Sequence, residues 1–207
     1  YPTESIIVFV QDTGTKDYFS NLLPELGIKG VTIATFAEWA MEILDINKEA
    51  GLFVQRPGST EKERDLYEHH KITALRNSKH EPYRKKHHVL LEKVYKSYLK
   101  GEFVALFENQ KKEKTFDKID LTILLKAYFA KYPKIEKVKE YFSPNKKGEL
   151  KKRKRRLPIE YSLIVVDEFQ NSLPEQLLFY KQTLRKDNKS IVYVGDMAQQ
   201  VQFGTLK

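Results

Sequence analysis

The sequence predicts an α/β protein in which a parallel β-sheet is interrupted by a mainly helical insertion. Residues 1–45 and 158–207 alternate between short apolar runs and helical patterns, whereas residues 46–157 show no pattern of a buried strand. The apolar runs, such as Ile-Ile-Val-Phe-Val at 6–10 and Leu-Ile-Val-Val at 163–166, are rich in β-branched residues, as is typical of strands buried on both faces. We therefore expect one sheet domain made from both ends of the chain, with a second subdomain inserted into it.

The first segment has the pattern strand, helix, strand, helix. After the strand at 6–10, an apolar stripe over 16–26 predicts a helix, and residues 31–34 predict a second strand. Thr35 and Glu38 have the spacing of a capping box, in which each residue caps the other at a helix N-terminus. A second helix is therefore expected to begin at Phe36.

The middle region is predicted to be helical. Apolar residues at helical spacing indicate one helix over 90–98, another over 121–129 and a third over 135–142. Polar loops are expected around 56–64 and 143–156. After this region, strands are predicted at 162–167 and 191–195, and a helix between them is expected to begin near Ser172, with Glu175 completing a capping box.

The composition points to a basic protein. The 207 residues include 37 Lys and Arg against 28 Asp and Glu, a net charge of +9. This excess suggests a polyanionic partner such as nucleic acid, with general solubility as the alternative. There is no cysteine, which excludes disulfides and thiolate metal sites and fits a cytoplasmic protein. No apolar run approaches the roughly 18 residues of a membrane span, so no membrane association is expected. The chain begins at Tyr1, close to a strand, and we expect it to be part of a longer protein.

Acidic and amide side chains follow two of the predicted strands. Asp167, Glu168 and Gln170 follow one strand, and Asp196 and Gln199 follow the next. Ligands of open α/β sheets bind beyond the carboxyl ends of the strands, and paired carboxylates there need a positive partner, usually a metal ion. Nucleotide hydrolases use such a pair to hold Mg²⁺ and to activate water, and a neighbouring amide can sense the γ-phosphate. The alternative is that the two acids simply begin a loop.

These motifs resemble those of the UvrD/Rep-like superfamily 1 helicases. Asp167–Asn171 (Asp-Glu-Phe-Gln-Asn) resembles motif II, the Walker B box, and Gly195–Gln199 (Gly-Asp-Met-Ala-Gln) resembles motif III. Thr35 and Phe36, together with Trp39, resemble motif Ib. The resemblance covers about 1–45 and 158–203. It implies a partial RecA-like P-loop NTPase sheet, subdomain 1A, with a helical 1B-like insertion at 46–157.

The resemblance also implies a function and a set of site residues. The family couples ATP hydrolysis, with Mg²⁺, to movement along single-stranded or partly duplex DNA. Asp167 would coordinate Mg²⁺, Glu168 would act as general base, and Gln199 would contact the γ-phosphate. Gln170 would couple the nucleotide state to DNA, and Asp196 would support motif III.

Four further residues are implied to lie near the DNA. Thr35, Phe36 and Trp39 would lie along its path, and Phe203 could stack on a base in place of the usual aromatic residues of motif III. For the first three residues the alternative is structural. Thr35 would then cap a helix, and Phe36 and Trp39 would form its core face.

A run of charge precedes the motif II strand. Residues 146–156 hold eight cations and one acid, so the run is expected to repel itself and to form a mobile basic loop. It could contact nucleic-acid phosphates or remain merely solvated. The cations of interest are Lys151, Lys152, Arg153, Lys154, Arg155 and Arg156.

One family motif has no counterpart in the sequence. No G-x-x-x-x-G-K-[ST] phosphate loop occurs between Tyr1 and Lys207. We therefore expect the Walker A strand outside this chain, the isolated chain to be deficient in ATP hydrolysis, and strand 191–195 to have an open edge. Two other hypotheses about the function stay open. One is an RNA-polymerase-associated module of the helicase IV/HelD branch, which residues 18–27 resemble, and the other is the helicase part of a helicase–nuclease.

Overall fold

The computed structural model describes residues 5–46, 51–53, 60–78, 81–132, 134–145, 148–187 and 190–196. Within these ranges the chain forms six strands and seven α-helices. The strands are β1 (Ile6–Val10), β2 (Thr32–Thr35), β3 (Glu136–Pro144), β4 (Leu150–Pro158), β5 (Leu163–Val166) and β6 (Ser190–Tyr193). The helices are α1 (Thr13–Glu25), α2 (Phe36–Leu44), α3 (Glu61–Asn77), α4 (His87–Tyr95), α5 (Glu102–Glu113), α6 (Lys118–Lys131) and α7 (Pro174–Gln182).

Four strands form one parallel sheet in the order β2-β1-β5-β6. Strand β1, from the first segment, pairs directly with β5, from the last segment, so that Ile7 lies opposite Ile164. Both isoleucines are fully buried, as the runs of β-branched residues indicated. The predicted α/β fold, with both ends of the chain in one sheet, is confirmed.

Helix α2 begins at the predicted capping box. Thr35 Oγ1 accepts a hydrogen bond from Glu38 N (3.2 Å), and the Glu38 carboxylate accepts one from Thr35 N (3.0 Å). The apolar face of α2 then packs on the sheet, with the Trp39 ring 5.3 Å from the Phe9 ring. Tyr180 of α7 stacks on the same Phe9 ring at 4.0 Å, so one aromatic cluster joins α2, β1 and α7.

Three local predictions are corrected. Residues 61–64 were expected in a polar loop but lie in α3, where Thr60 and Glu63 form a capping box. Helix α5 was not predicted, because its buried face includes the polar Gln110. Helix α7 begins at Pro174, slightly later than expected, and Gln176 rather than Glu175 closes its first turn by accepting from Leu173 N.

The largest correction concerns the basic segment. The predicted helix over 135–142 and the predicted basic loop over 146–156 are wrong, because residues 136–144 and 150–158 form the antiparallel hairpin β3–β4. Where the two strands are joined, Asn145 N donates to Glu149 O, and Gly148 has a φ of +80°. The sequence gives little sign of the hairpin because its described side chains are mostly exposed on both faces, which removes the apolar alternation of a half-buried strand.

Helix α6 is joined to α3 and α5 through a buried cation. The Lys71 side chain on α3 is fully buried, and its Nζ lies 2.5 Å from Asp117 Oδ2 and 2.8 Å from Asp120 Oδ1. Gln110 of α5 accepts a further hydrogen bond from Nζ at 3.0 Å. Burial alone would lower the pKa of Lys71, but the two carboxylates outweigh it and raise this pKa. The network therefore holds a charged lysine in the core.

Candidate functional site

The predicted acid pair lies at the carboxyl edge of the parallel sheet, between its other strands. Asp167 and Glu168 directly follow β5. Asp167 N donates to the carbonyl oxygen of Phe9 in β1 at 2.9 Å, and Phe169 N donates to that of Val194, just past β6, at 3.1 Å. These two backbone bonds fix the acid pair between the ends of β1 and β6, where α/β sheets bind their ligands.

The backbone turns sharply at Glu168. Its φ of +49° and ψ of +42° lie in the left-handed region, which costs a residue with a side chain about 1–2 kcal/mol. A short 3₁₀ turn, Phe169–Asn171, follows, and Asn171 N donates to Glu168 O at 2.9 Å. The strained residue is thus held by its neighbours, as is common where a side chain must point in one direction.

Gln170 orients the Glu168 side chain. Its side chain is 0% exposed, and its Nε2 donates to Glu168 Oε2 at 2.6 Å. The other amide atom, Oε1, has no hydrogen-bond partner among the described residues. A buried acceptor without a partner is costly, and this one lies beside the acid pair.

Gly195 makes room for that amide. A Cβ atom placed on Gly195 would lie 1.9 Å from Gln170 Oε1 and 3.0 Å from Gln170 Cδ, well inside van der Waals contact. Only glycine therefore accommodates Gln170 in this position. The two sequence motifs, which are 25 residues apart at these positions, meet at this contact.

Asp167 lies beside Glu168, and neither carboxylate forms an ion pair with a described residue. Partial burial and then the neighbouring Glu168 charge raise the pKa of Asp167. The described ranges contain no cluster of three or more His, Cys, Asp or Glu that could hold a metal alone. The pair fits Mg²⁺, which is often held by one or two carboxylates with phosphates and water as the other ligands.

Lys118 was not predicted as a site residue. It is the first residue of α6 and lines a small cavity of about 20 Å³ together with Asp167 and Gln11. Burial lowers the pKa of Lys118, and the Glu68 and Asp12 carboxylates oppose this effect. Nothing in the local sequence marks this lysine, because only the packing of α6 against the sheet domain brings it to the edge.

Thr35, Phe36 and Trp39 all lie in or beside the hydrophobic core. Thr35 is occupied as the N-cap of α2, and the side chains of Phe36 and Trp39 are only 6% and 3% exposed. Both rings lie near Tyr180 in the aromatic cluster. The burial of Phe36 and Trp39 and the capping role of Thr35 favour the structural alternative, and DNA contact by these residues stays a prediction.

The motif III residues are only partly described. Asp196 is exposed just past β6, whereas Gln199 and Phe203 lie outside the described residues. Within the described part of the chain β6 pairs only with β5, and Val192 and Val194 are 46% and 47% exposed. Among the described strands β6 therefore lies at the edge of the sheet, as expected.

The cations from Lys151 to Arg155 are all exposed on strand β4 rather than in a loop. The side chain of Arg156 lies outside the described part of the structure. Their exposure is compatible with phosphate contact, and their arrangement on a strand gives them fixed directions that a loop would not. Among the described helices, none has the length and apolar character needed to cross a bilayer.

The comparison with known families agrees with this geometry. A family model described as UvrD/REP helicase N-terminal domain matches residues 15–202, which include most of the sheet, the helical middle and the acid pair. No curated protein gave a match. The four-stranded parallel sheet flanked by helices corresponds to a partial RecA-like fold, and such a domain belongs to the motor of superfamily 1 helicases. The chain is therefore a member of the UvrD/REP helicase N-terminal domain family.

Proposed function

We propose that this chain forms part of the motor of an ATP-dependent superfamily 1 DNA helicase, with Asp167 and Glu168 as its Walker B pair. The observation that supports this most is the contact of Glu168 with Gln170. A carboxylate at the carboxyl edge of the sheet, held by a buried amide at 2.6 Å, is prepared to accept a proton from a bound water.

Each residue of the edge has a separate role in this proposal. ATP and Mg²⁺, when bound, would supply the phosphoanhydride and the cation that neutralises its charge. Asp167, which lacks a cation partner among the described residues, would hold the metal ion directly or through water. Glu168 would accept the proton of the attacking water, and Gln170 would keep the Glu168 carboxylate in the required direction.

The remaining contacts follow from the family resemblance. Gln199 would contact the γ-phosphate, and Asp196 would support the segment that carries it. Phe203 would stack on a base, and some of the cations of β4 would contact DNA phosphates. Movement of the Gly195 segment would be transmitted to Gln170, because the two are in direct contact. This contact gives Gln170 a physical route for coupling nucleotide state to DNA.

We also propose that the isolated chain does not hydrolyse ATP efficiently. Its sequence contains no phosphate loop, so the β- and γ-phosphates would lack the backbone cradle and the lysine that normally hold them. DNA-stimulated hydrolysis is expected of the complete protein. Robust turnover by residues 1–207 alone would contradict this part of the proposal.

The test is substitution of the general base in the complete protein. Glu168→Gln keeps the size of the side chain and removes its basicity, so DNA-stimulated hydrolysis should fall by about 10²–10⁴-fold while ATP binding is retained. Glu160→Gln is the matched control, because this exposed acid precedes β5 at the opposite edge of the sheet. Turnover by Glu168→Gln at more than a tenth of the wild-type rate would contradict the role assigned to Glu168.

A further inference from the structure

The two faces of the hairpin β3–β4 differ in charge. Side chains alternate between faces along a strand, and residues opposite each other on paired strands share a face. Lys152 and Lys154 therefore lie on the face that holds Glu140, since Lys154 is opposite Glu140. Lys151, Arg153 and Arg155 lie on the other face, where Arg153 is opposite Tyr141. The basic run is thus divided into two sets by the pleat of the strand.

The lysines on the first face have a carboxylate partner. Lys152 Nζ lies 2.5 Å from Glu140 Oε2, and Lys154 Nζ lies 3.6 Å from Glu140 Oε1. The hydrogen bond from Lys152 lowers the pKa of the Glu140 carboxyl. These contacts cross from one strand to the other, so their effect is to stabilise the hairpin and to offset part of the charge on this face.

The cations on the second face have no such partner. Lys151, Arg153 and Arg155 are exposed, and none of them forms an ion pair with the described residues. They repeat every second residue, which is about 6.8 Å along a strand, and they span about 14 Å. One strand of DNA presents a charge about every 3.4 Å of helix axis, so a row of this length faces several phosphates.

We propose that the face formed by Lys151, Arg153, Arg155 and Tyr141 binds the sugar–phosphate backbone of duplex DNA, whereas Lys152 and Lys154 hold the hairpin together through Glu140. This inference deepens the proposed helicase function and rests on it for the identity of the polyanion. A duplex is favoured because a two-stranded ribbon has the width to lie along a DNA groove. Among the described residues of this face three cations accompany one aromatic ring, whereas single-strand platforms use several aromatic rings.

The test compares two variants that remove equal charge from adjacent positions of one strand. R153Q/R155Q removes two cations from the proposed DNA face, and K152Q/K154Q removes two from the paired face. Binding of the complete protein to a fluorescein-labelled blunt duplex is measured by anisotropy at several salt concentrations. R153Q/R155Q should reduce the slope of log K against log[salt] by about 1.8, or 0.9 for each lost phosphate contact.

This slope change corresponds to a measurable difference in affinity. Between about 50 and 200 mM salt, the wild type should lose about twelvefold more affinity than R153Q/R155Q, because four raised to the power 1.8 is about 12. K152Q/K154Q should keep the wild-type slope, although it exposes the Glu140 charge. R153K/R155K, which preserves the charge, should also keep the wild-type slope.

The outcomes separate this inference from the proposed function. Equal losses for the two glutamine pairs would show that only net charge matters, and would overturn the assignment of the faces. An unchanged slope for R153Q/R155Q would also overturn it, while DNA-stimulated ATP hydrolysis by the same variant would leave the motor proposal standing. A loss confined to a single-stranded ligand of the same length would overturn the choice of duplex. Absence of DNA-stimulated hydrolysis in the wild type would instead contradict the proposed function.

Discussion

Replacing Gly195 by alanine tests how the two motifs at the sheet edge hold each other. The added Cβ would lie 1.9 Å from Gln170 Oε1, while unstrained contacts between heavy atoms begin near about 3.5 Å. The Gln170 amide must therefore move by more than an ångström. Its Nε2 lies 2.6 Å from Glu168 Oε2, so a movement of that size breaks the hydrogen bond. Gly195→Ala should thus break the hydrogen bond between Gln170 and Glu168 without replacing either of these two side chains.

The cost has two separable parts. Loss of a hydrogen bond to a charged group costs about 1.5–3 kcal/mol, and the same movement of Gln170 relieves most of the clash. A residue with a side chain at the Gly195 φ of +156° adds about 1–3 kcal/mol of backbone strain. This strain does not depend on the side chain at position 170. We therefore expect Gly195→Ala to lower the free energy of unfolding by about 2.5–6 kcal/mol in total. Only the first part depends on Gln170.

A double-mutant cycle isolates the contact. Urea denaturation, followed by the fluorescence of Trp39, the single tryptophan of the chain, measures stability for Gly195→Ala, Gln170→Ala and the double variant. In the Gln170→Ala background the clash and the hydrogen bond are both gone, so Gly195→Ala should cost at least about 1.5 kcal/mol less there than in the wild type. A coupling within about 0.5 kcal/mol of zero would refute the reasoning, since the two residues would then act independently.

Two further predictions concern the helical middle of the chain. Lys71→Met should lower the free energy of unfolding by about 3–5 kcal/mol in urea denaturation, because Asp117 and Asp120 would lose their buried cation, whereas the exposed control Lys112→Met should change it by under about 0.5 kcal/mol. A loss below 1 kcal/mol for Lys71→Met would argue against the network. Burial, followed by the His88 charge, lowers the pKa of His87 to about 4. As the pH falls, the unfolded chain therefore takes up a proton at His87 at a higher pH than the folded chain does. Stability should then fall as pH drops from about 6.5 towards 4, by about 1 kcal/mol between pH 7 and 5 after allowance for partial exposure. His87→Gln should flatten the pH dependence of the urea midpoint, and an unaltered dependence would contradict this assignment.

The sheet and its acid pair were predictable because burial leaves a clear pattern in the sequence. Strands β1 and β5 are nearly continuous runs of β-branched and aromatic residues, and polar side chains can follow such a run only where the sheet ends. The capping box at Thr35 was equally clear, because it depends on two residues at a fixed spacing. Local chemistry was enough in each of these cases.

The hairpin and the Gln170–Gly195 contact depend on pairing that no local pattern reveals. Strand β4 has almost no apolar residues, and its partner β3 offers Glu140 to two of its lysines only when the register is correct. Gly195 meets Gln170 only because β6 lies next to β5 in the sheet. The order of strands, and not the motif spacing, thus determines which residues of the two motifs touch.

Helix α6 gives the middle of the chain a direct part in the candidate site. Its N-terminal residues Asp117 and Asp120 both contact Lys71, so the first turn of the helix cannot shift without disturbing a fully buried ion network. Lys118 lies between these two acids in sequence and lines the same cavity as Asp167. On the following turn, Thr122 Oγ1 accepts a hydrogen bond from Gln176 of α7 at 3.1 Å, which ties α6 to the sheet domain. A buried lysine is seldom the most stabilising choice for a core. Here, however, the buried Lys71 holds the first turn of α6 in place, and this turn carries Lys118 to the edge where the acid pair lies.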